Sequence, residues 1–299
     1  MMHHQAKAYL FAGLTILFWS TVATAFKIAL KCMDFPVLLL YSSITSLIVL
    51  FITGSFSQGT DVLFRQSGQN YRHSALLGFL NPFLYYLILF KAYSLLPAQV
   101  AQPLNMVWPL ILSFLSVPFL KNTITLRSYI ALFICFGGAF LIATRGDLSG
   151  FHFQDPIGIS LALGSSIIWS FFWLFNVKDS RPDESKLFLN FLFAFLYIVL
   201  FTALTGRLVW PGWKGFLAAV YIGIFEMGIT FVFWLKALRY SRSPDQISTL
   251  MYLFPFLSLI LIHFVLGETI FLTTFIGLML IVTGIFVQKY PVRKKTLKK

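Results

Sequence analysis

Ten stretches of this chain are apolar, long and separated by short polar connections: residues 9–30, 36–54, 75–96, 98–120, 126–144, 156–177, 187–206, 214–238, 246–266 and 271–289. Within each stretch hydrophobic positions run on without alternating. Membrane barrel strands show segments of about ten alternating residues, so that architecture does not fit. Each run approaches the roughly 20 residues that cross hydrocarbon as a helix. Hydrocarbon also leaves a backbone no hydrogen-bond partner but its own helix. The predicted fold is all-α and integral to a membrane, with ten transmembrane helices.

The runs repeat in the two halves. Trp19-Ser20 matches Trp169-Ser170, Phe90-Lys91-Ala92 matches Leu235-Lys236-Ala237, and Pro97-Ala98-Gln99 matches Pro244-Asp245-Gln246. Pro109 matches Pro255 and Gly138 matches Gly284, all at offsets of 145 to 150. Five helices per copy is an odd number, so the second copy must run opposite to the first. Inverted-topology repeats are a transporter architecture, with the substrate site near the midplane where the repeats meet. The predicted organisation is a first five-helix repeat over 1–146, an inverted second repeat over 147–290 and a basic tail over 291–299.

Composition agrees: hydrophobic residues make up 58% and charged residues 11%, against about 45–50% and 25% in soluble domains. A formal charge of +13 can signal nucleic acid, but here the basic residues sit at the ends of apolar runs. With the N-terminus in the cytoplasm, 17 of the 23 Lys and Arg fall on the inner side, which the positive-inside rule explains. Both termini are then cytoplasmic, the surrounding partner is lipid, and no nucleic acid is expected. The first run exceeds a signal-peptide core and lacks a small-residue cleavage site after it, so it is read as the first span. Cys32 and Cys135 form no disulfide or metal pattern.

Of the ten acidic residues only Glu226 lies deep inside an apolar run. An ionisable group there costs roughly 2.5–3.5 kcal/mol, so it usually faces a bundle interior or wet cavity. Helical spacing aligns Ile222, Glu226, Thr230 and Phe233 on one face. The repeat offset of 145 sets Asn81 opposite Glu226, and Pro82 beside it bends that span. The alternative for both is an interhelical hydrogen bond. The run 98–120 carries Pro103, Pro109 and Pro118, with Gln102, Asn105 and Pro109 on one polar, kinked face; such backbone is tolerated at depth only against protein or water. Lys27 either meets a substrate carboxylate, pairs with Glu226 or snorkels to the interface. Trp19 and Trp169 either stack on a planar or cationic substrate or pack the core. Tyr85 and Trp108 complete the candidate binding set. Gly158, Ala162, Ser166 and Ser170, and separately Gly137, Gly138 and Ala139, read as close-packing stripes. His263 reads as a packed or interfacial histidine.

Leu17-Phe18-Trp19-Ser20 followed by Phe26-Lys27, the Lys91-Ala92 and Lys236-Ala237 span ends, and Pro255 with Leu266-Gly267-Glu268-Thr269 ahead of Gly277 and Gly284 give the chain a resemblance along nearly its whole length. It resembles the ten-span, EamA-type carriers of the drug/metabolite transporter superfamily. Asn105-Met106-Val107-Trp108-Pro109 is similar to the Asn-x-x-Trp-Pro signature of the branch that includes aromatic amino-acid exporters. Two features depart from the pattern: an arginine frequent in the second span is missing near Tyr41 and Ser42, and Lys121-Asn122 stands where a glutamate is usual. The resemblance implies a cofactor-free secondary transporter of a small-molecule substrate in a plasma (bacterial inner) membrane. Its fifth and tenth spans would pack outside the cavity and support a homodimer. The implied substrate is an amino acid or related amine, aromatic ones among them; a nucleotide-derived or drug-like cation is the alternative.

Catalytic patterns are missing from the sequence. No H-E-x-x-H pair, G-x-S-x-G elbow, Walker loop or Asp-rich cluster occurs, so no catalytic residue and no metal site are assigned. A membrane-embedded lipid-modifying enzyme is the reading from a different class. A scaffold role fits poorly with a costly buried acid and a proline-broken span.

Overall fold

The computed structural model describes residues 2–120, 126–146, 155–241, 247 and 250–289. Lys121-Asn122, Pro244-Asp245-Gln246 and the tail 291–299 lie outside the described residues. Among the described residues there are helices and turns and no strand. In chain order they are α1 (Met2–Leu30), α2 (Phe35–Gln58), α3 (Thr60–Phe64), α4 (Gly68–Gly78), a π-helical turn (Phe79–Leu84), α5 (Tyr85–Leu95), α6 (Ala98–Asn105), α7 (Trp108–Leu120), α8 (Leu126–Ala143), α9 (Pro156–Val177), α10 (Asp183–Leu204), α11 (Gly212–Phe225), α12 (Ile229–Tyr240), a 3-10 turn (Met251–Leu253), α13 (Phe254–Leu266) and α14 (Leu272–Lys289).

Six helical stretches are long and apolar enough to cross a membrane: His4–Leu30, Phe35–Gln58, Gly68–Leu95, Pro156–Asn176, Asp183–Leu204 and Gly212–Tyr240. Tyr129–Ala143, Met251–Leu266 and Leu272–Val287 are shorter apolar helices. The predicted run 98–120 is not one helix. It breaks at Met106-Val107, between α6 with Pro103 inside it and α7 with Pro109 as its second residue. Proline removes a backbone donor and crowds the preceding turn, which accounts for the break.

Close packing depends on a few glycines. A Cβ at Gly138 of α8 would fall on the Gly277 carbonyl of α14, and one at Gly284 would fall against Ala131 and Cys135 of α8. The second contact is the first shifted by 146 residues in each partner. Gly158 of α9 is pressed against Leu95 and Leu96. Gly137, expected to share this duty, has open space at its Cβ position. Cys135 is buried and Cys32 exposed, and both are free thiols.

Two polar knots hold the ends of the bundle. Where α5 stops and α6 starts, Lys27 Nζ donates to the carbonyls of Tyr93 and Leu96 at 2.9 and 3.0 Å. The Glu268 carboxylate accepts from the amides of Ala98 and Gln99 at 3.0 and 3.3 Å. One side chain covers orphan carbonyls and the other orphan amides, the groups a helix end leaves unpaired. His263 Nδ1 lies 3.0 Å from the Glu268 carbonyl oxygen. Elsewhere, Arg181 in the α9–α10 connection grips Asp179 and donates to Ser74 of α4 at 2.9 Å. Burial alone would raise the Asp179 carboxyl, but the Arg181 hydrogen bonds and the nearby Arg181 and His73 charges hold it below the ordinary aspartate range.

Candidate functional site

A cavity of about 400 Å³ lies inside the bundle, within the roughly 300–1,000 Å³ range of small-molecule sites. Trp19, Tyr85, Gln102, Asn105, Trp108, Trp169 and Glu226 all line it, brought together from α1, α5, α6, α7, α9 and the α11–α12 junction. Its walls also include Phe26, Tyr93, Trp173, Trp234, Tyr252 and Phe254. Glu226 is the only formally charged side chain among the described residues that line it.

Glu226 reaches the cavity because its helix is interrupted. α11 ends at Phe225, and Glu226, Met227 and Gly228 form a turn before α12 begins. The amides of Glu226 and Met227 both return to the Ile222 carbonyl, at 2.9 and 3.2 Å. Gly228 sits where a Cβ would strike the Gly223 carbonyl. The carboxylate is buried, 9% exposed, and Tyr86 Oη donates to Oε1 at 2.9 Å. A buried charge needs such a partner. Tyr86 is itself fully buried and belongs to α5, just past the kink of the opposite half.

The polar face of α6 is anchored from behind. Asn105 Nδ2 donates to Ser165 Oγ at 2.8 Å, Ser165 passes its own proton to the Ala162 carbonyl at 2.7 Å, and Tyr85 Oη donates to Asn105 Oδ1 at 3.3 Å. Gln102 Oε1 and the indole nitrogens of Trp19 and Trp173 are buried and lack a protein partner. All three residues line the cavity, and together they hold two donors and an acceptor without a protein partner.

The two tryptophans of the repeat pair are held in the same way. Ser20 Oγ lies 3.3 Å from the Phe254 carbonyl and Ser170 Oγ 2.9 Å from the Trp108 carbonyl. The Trp19 and Phe254 rings are 6.1 Å apart, and the Trp169 and Trp108 rings 6.5 Å apart. Residues 108 and 254 differ by 146, the repeat offset. Trp169 also packs on Tyr85 at 4.5 Å.

Three candidates stand elsewhere. Asn81 is fully buried but does not line the cavity. Its backbone is extended (φ −148°, ψ 127°) inside the π-helical turn, so the bend expected from Pro82 falls on Asn81 itself; both its side-chain polar atoms lack a protein partner. Thr230 is fully buried, and its hydroxyl donates to the Phe225 carbonyl across the helix break. That break removes the continuous face that would have aligned it with Glu226. Lys27 neither pairs with Glu226 nor lines the cavity; it is spent on the α5 end. Residues that the spacing argument missed include Tyr86, Glu268 and Gln99. Gln99 donates to the Thr269 carbonyl at 2.8 Å and accepts from the Phe271 amide at 3.1 Å, so it and Glu268 position α6. Trp173 had a local signal, lying one turn beyond Trp169.

Among the described residues no group of three or more His, Cys, Asp or Glu is placed to hold a metal ion.

Comparison with known proteins gives a consistent picture. The model of the EamA-like transporter family matches residues 6–144 and again 156–288. An uncharacterized transporter of Archaeoglobus fulgidus is 22% identical over 285 residues, 94% of this chain and 96% of that protein. An uncharacterized transporter of Clostridium kluyveri is 27% identical over 146 residues, 48% of this chain; the match spans 46% of that protein's length. A solved crystal structure with 24% sequence identity has the same fold, with a TM-score of 0.65 over 95% of this chain and 96% of the other.

Proposed function

Because the chain belongs to the EamA-like transporter family, and is therefore an integral membrane transporter of some small substrate, we propose that its cargo is a small organic molecule bearing an amine, with amino acids, aromatic ones included, as the leading class. The observation that carries this reading is the cavity itself. Its one formal charge among the described lining residues is the Glu226 carboxylate, and ten of its 21 lining residues are tryptophan, tyrosine or phenylalanine. A carboxylate neutralises an ammonium, and aromatic faces attract both cations and flat rings. Gln102, Trp19 and Trp173 also line the cavity, and each carries a polar atom without a protein partner.

The transport cycle follows from the architecture we propose: ten spans in two inverted repeats, 1–146 and 147–290, with both termini cytoplasmic. Two sets of crossed contacts support it. Gly138 against Gly277 corresponds to Gly284 against Ala131, and Ser170 on Trp108 corresponds to Ser20 on Phe254. In each set one contact maps onto the other when the halves are exchanged, as a two-fold relation requires. Rocking of the repeats would expose the cavity to each side in turn. Glu226 then acts as counter-ion to the substrate ammonium or as the carrier of an exchanged proton.

The test is flux. Protein in proteoliposomes is given a panel of labelled amino acids and aromatic amines, as wild type and as Glu226→Gln. The expected result is saturable uptake of an amine-bearing member that falls at least tenfold in the variant. Unchanged rate and unchanged pH dependence in Glu226→Gln would sink both roles for this carboxylate.

A further inference from the structure

A second cavity, of about 330 Å³, lies at the end of the bundle where α2 and α12 stop and α10 begins. It is separate from the substrate cavity, with α12 as the partition: Trp234 and Leu238 face the central space, while Val232, Leu235, Lys236 and Arg239 face this one. Ser57, Asp183 and Glu184 form its other side.

The charges around it are not used up on one another. Asp183 is bound by Lys186 at 2.8 Å. Glu184 is buried, 8% exposed, and accepts a hydrogen bond from Ser57 Oγ at 3.1 Å. Among the described residues, neither Glu184 nor Lys236 nor Arg239 forms an ion pair within 4.0 Å. Lys236 lies 5.9 Å from the Phe11 ring, a cation–π contact that leaves its charge unneutralised. Opposite charges at partly buried positions attract by several kcal/mol at about 4 Å. Here two helices, α10 with Glu184 and α12 with Lys236 and Arg239, bring them to the lining of one cavity without an ion pair between them, which is the arrangement expected around a guest with both signs of charge.

Depth gives the rest of the guest. Leu187 lies three residues beyond Glu184, Val232 four before Lys236 and Leu235 four before Arg239. At about 1.5 Å per residue, the apolar wall starts roughly one helical turn inward from each charge. Polar outside and apolar inside is the order of a phospholipid entering a bilayer. We infer that this cavity binds the headgroup of a zwitterionic phospholipid with a primary ammonium. Its phosphate is held by Arg239 and Lys236, its ammonium by Glu184, and its glycerol end lies on Leu187, Val232 and Leu235. Arginine suits phosphate because its planar fork meets two oxygens at once, and basic clefts between spans are known headgroup sites. A lipid wedged between α12 and the α2–α10 pair would stand beside the helix that follows the Glu226 turn.

Native mass spectrometry of the full-length protein tests this, with dioleoyl phosphatidylethanolamine, phosphatidylcholine and phosphatidylglycerol titrated separately. Wild type should retain the ethanolamine lipid about tenfold better than the other two, the worth of one charge-assisted contact. Glu184→Gln, nearly the same shape, should erase that preference and keep phosphate-dependent retention. Arg239→Gln should lower retention of all three about tenfold. Arg65→Gln, an exposed position outside the cavity, should leave the preference within about threefold of wild type, and unaltered unfolding of each variant shows that the region still folds. Glu226→Gln should leave lipid selection unchanged, which separates this site from the substrate site. Equal retention of the three lipids by wild type overturns the assignment, as does a preference that survives Glu184→Gln. Displacement of the lipid by soluble phosphoethanolamine at equal concentration also overturns it, assigning the cavity to a free zwitterion.

Discussion

The helix breaks at Phe79–Leu84 and at Glu226–Gly228 lie 145 residues apart, the offset of the proposed repeats, and they are different devices. At the first, an extended asparagine is fully buried and does not line the cavity. At the second, a carboxylate enters the cavity and receives a hydrogen bond from Tyr86, which stands just past the first break. The breaks therefore cooperate across the interface: one supplies the charge and the other supplies its partner. What the halves share is geometry, in glycine contacts, serine clamps and the interruptions themselves. What they do not share is charge, and the unshared carboxylate is the element proposed to recognise the substrate.

The hardest test of that contrast makes the two breaks alike. Glu226→Asn places an amide at both, and flux of the amine-bearing substrate should fall about 100-fold, two steps of about 1.36 kcal/mol each in the barrier. Equal transport by this variant would break the comparison. The shared geometry has its own test. Gly138→Leu and Gly284→Leu each force a side chain onto facing backbone and should cost about 1–3 kcal/mol apiece. The two costs should agree closely, as read from denaturant unfolding in detergent; a large inequality would undo the two-fold reading of these contacts. Tyr86→Phe is milder. It leaves the carboxylate and removes one hydrogen bond to it, so flux should drop about tenfold, close to the low end of the roughly 1.5–3 kcal/mol range for bonds to charged groups.

Much of this was legible in the sequence, for physical reasons that also explain the rest. Apolar runs mark helices because hydrocarbon permits little else, and each predicted run coincides with helical structure in the described residues. Glu226 stood out because a lone acid in such a run is costly, Gln102 and Asn105 because they share a proline-kinked face, and Trp108 through the Asn-x-x-Trp-Pro resemblance. Thr230 was placed beside Glu226 on the assumption that a helical face continues through 226–228, and Asn81 by the repeat offset, which says nothing of which way a side chain turns at a bend. Asn81-Pro82 and Gly228 were the warnings, since proline and glycine are where helices are interrupted. Tyr86 and Glu268 were invisible because each acts on a partner more than a hundred residues away, at 2.9 and 3.0 Å, and no spacing rule reaches so far. Lys27 was read for its charge, whereas a helix end close by claimed its donors.

The smallest expected effect sharpens the comparison most. Asn81 carries an amide oxygen and an amide nitrogen, both buried and both without a protein partner. Leaving such groups unsatisfied costs about 1–3 kcal/mol, while replacing them by an apolar side chain of similar shape can be neutral or stabilising. Asn81→Leu should therefore leave unfolding stability unchanged or raise it by up to about 1 kcal/mol, and leave flux within about twofold of wild type. The amide would then be a relic of the duplicated position, kept beside a break whose geometry is what the carrier needs. A loss of flux with stability intact would instead give Asn81 a direct part in the transport cycle, and the two breaks would differ in charge but not in use.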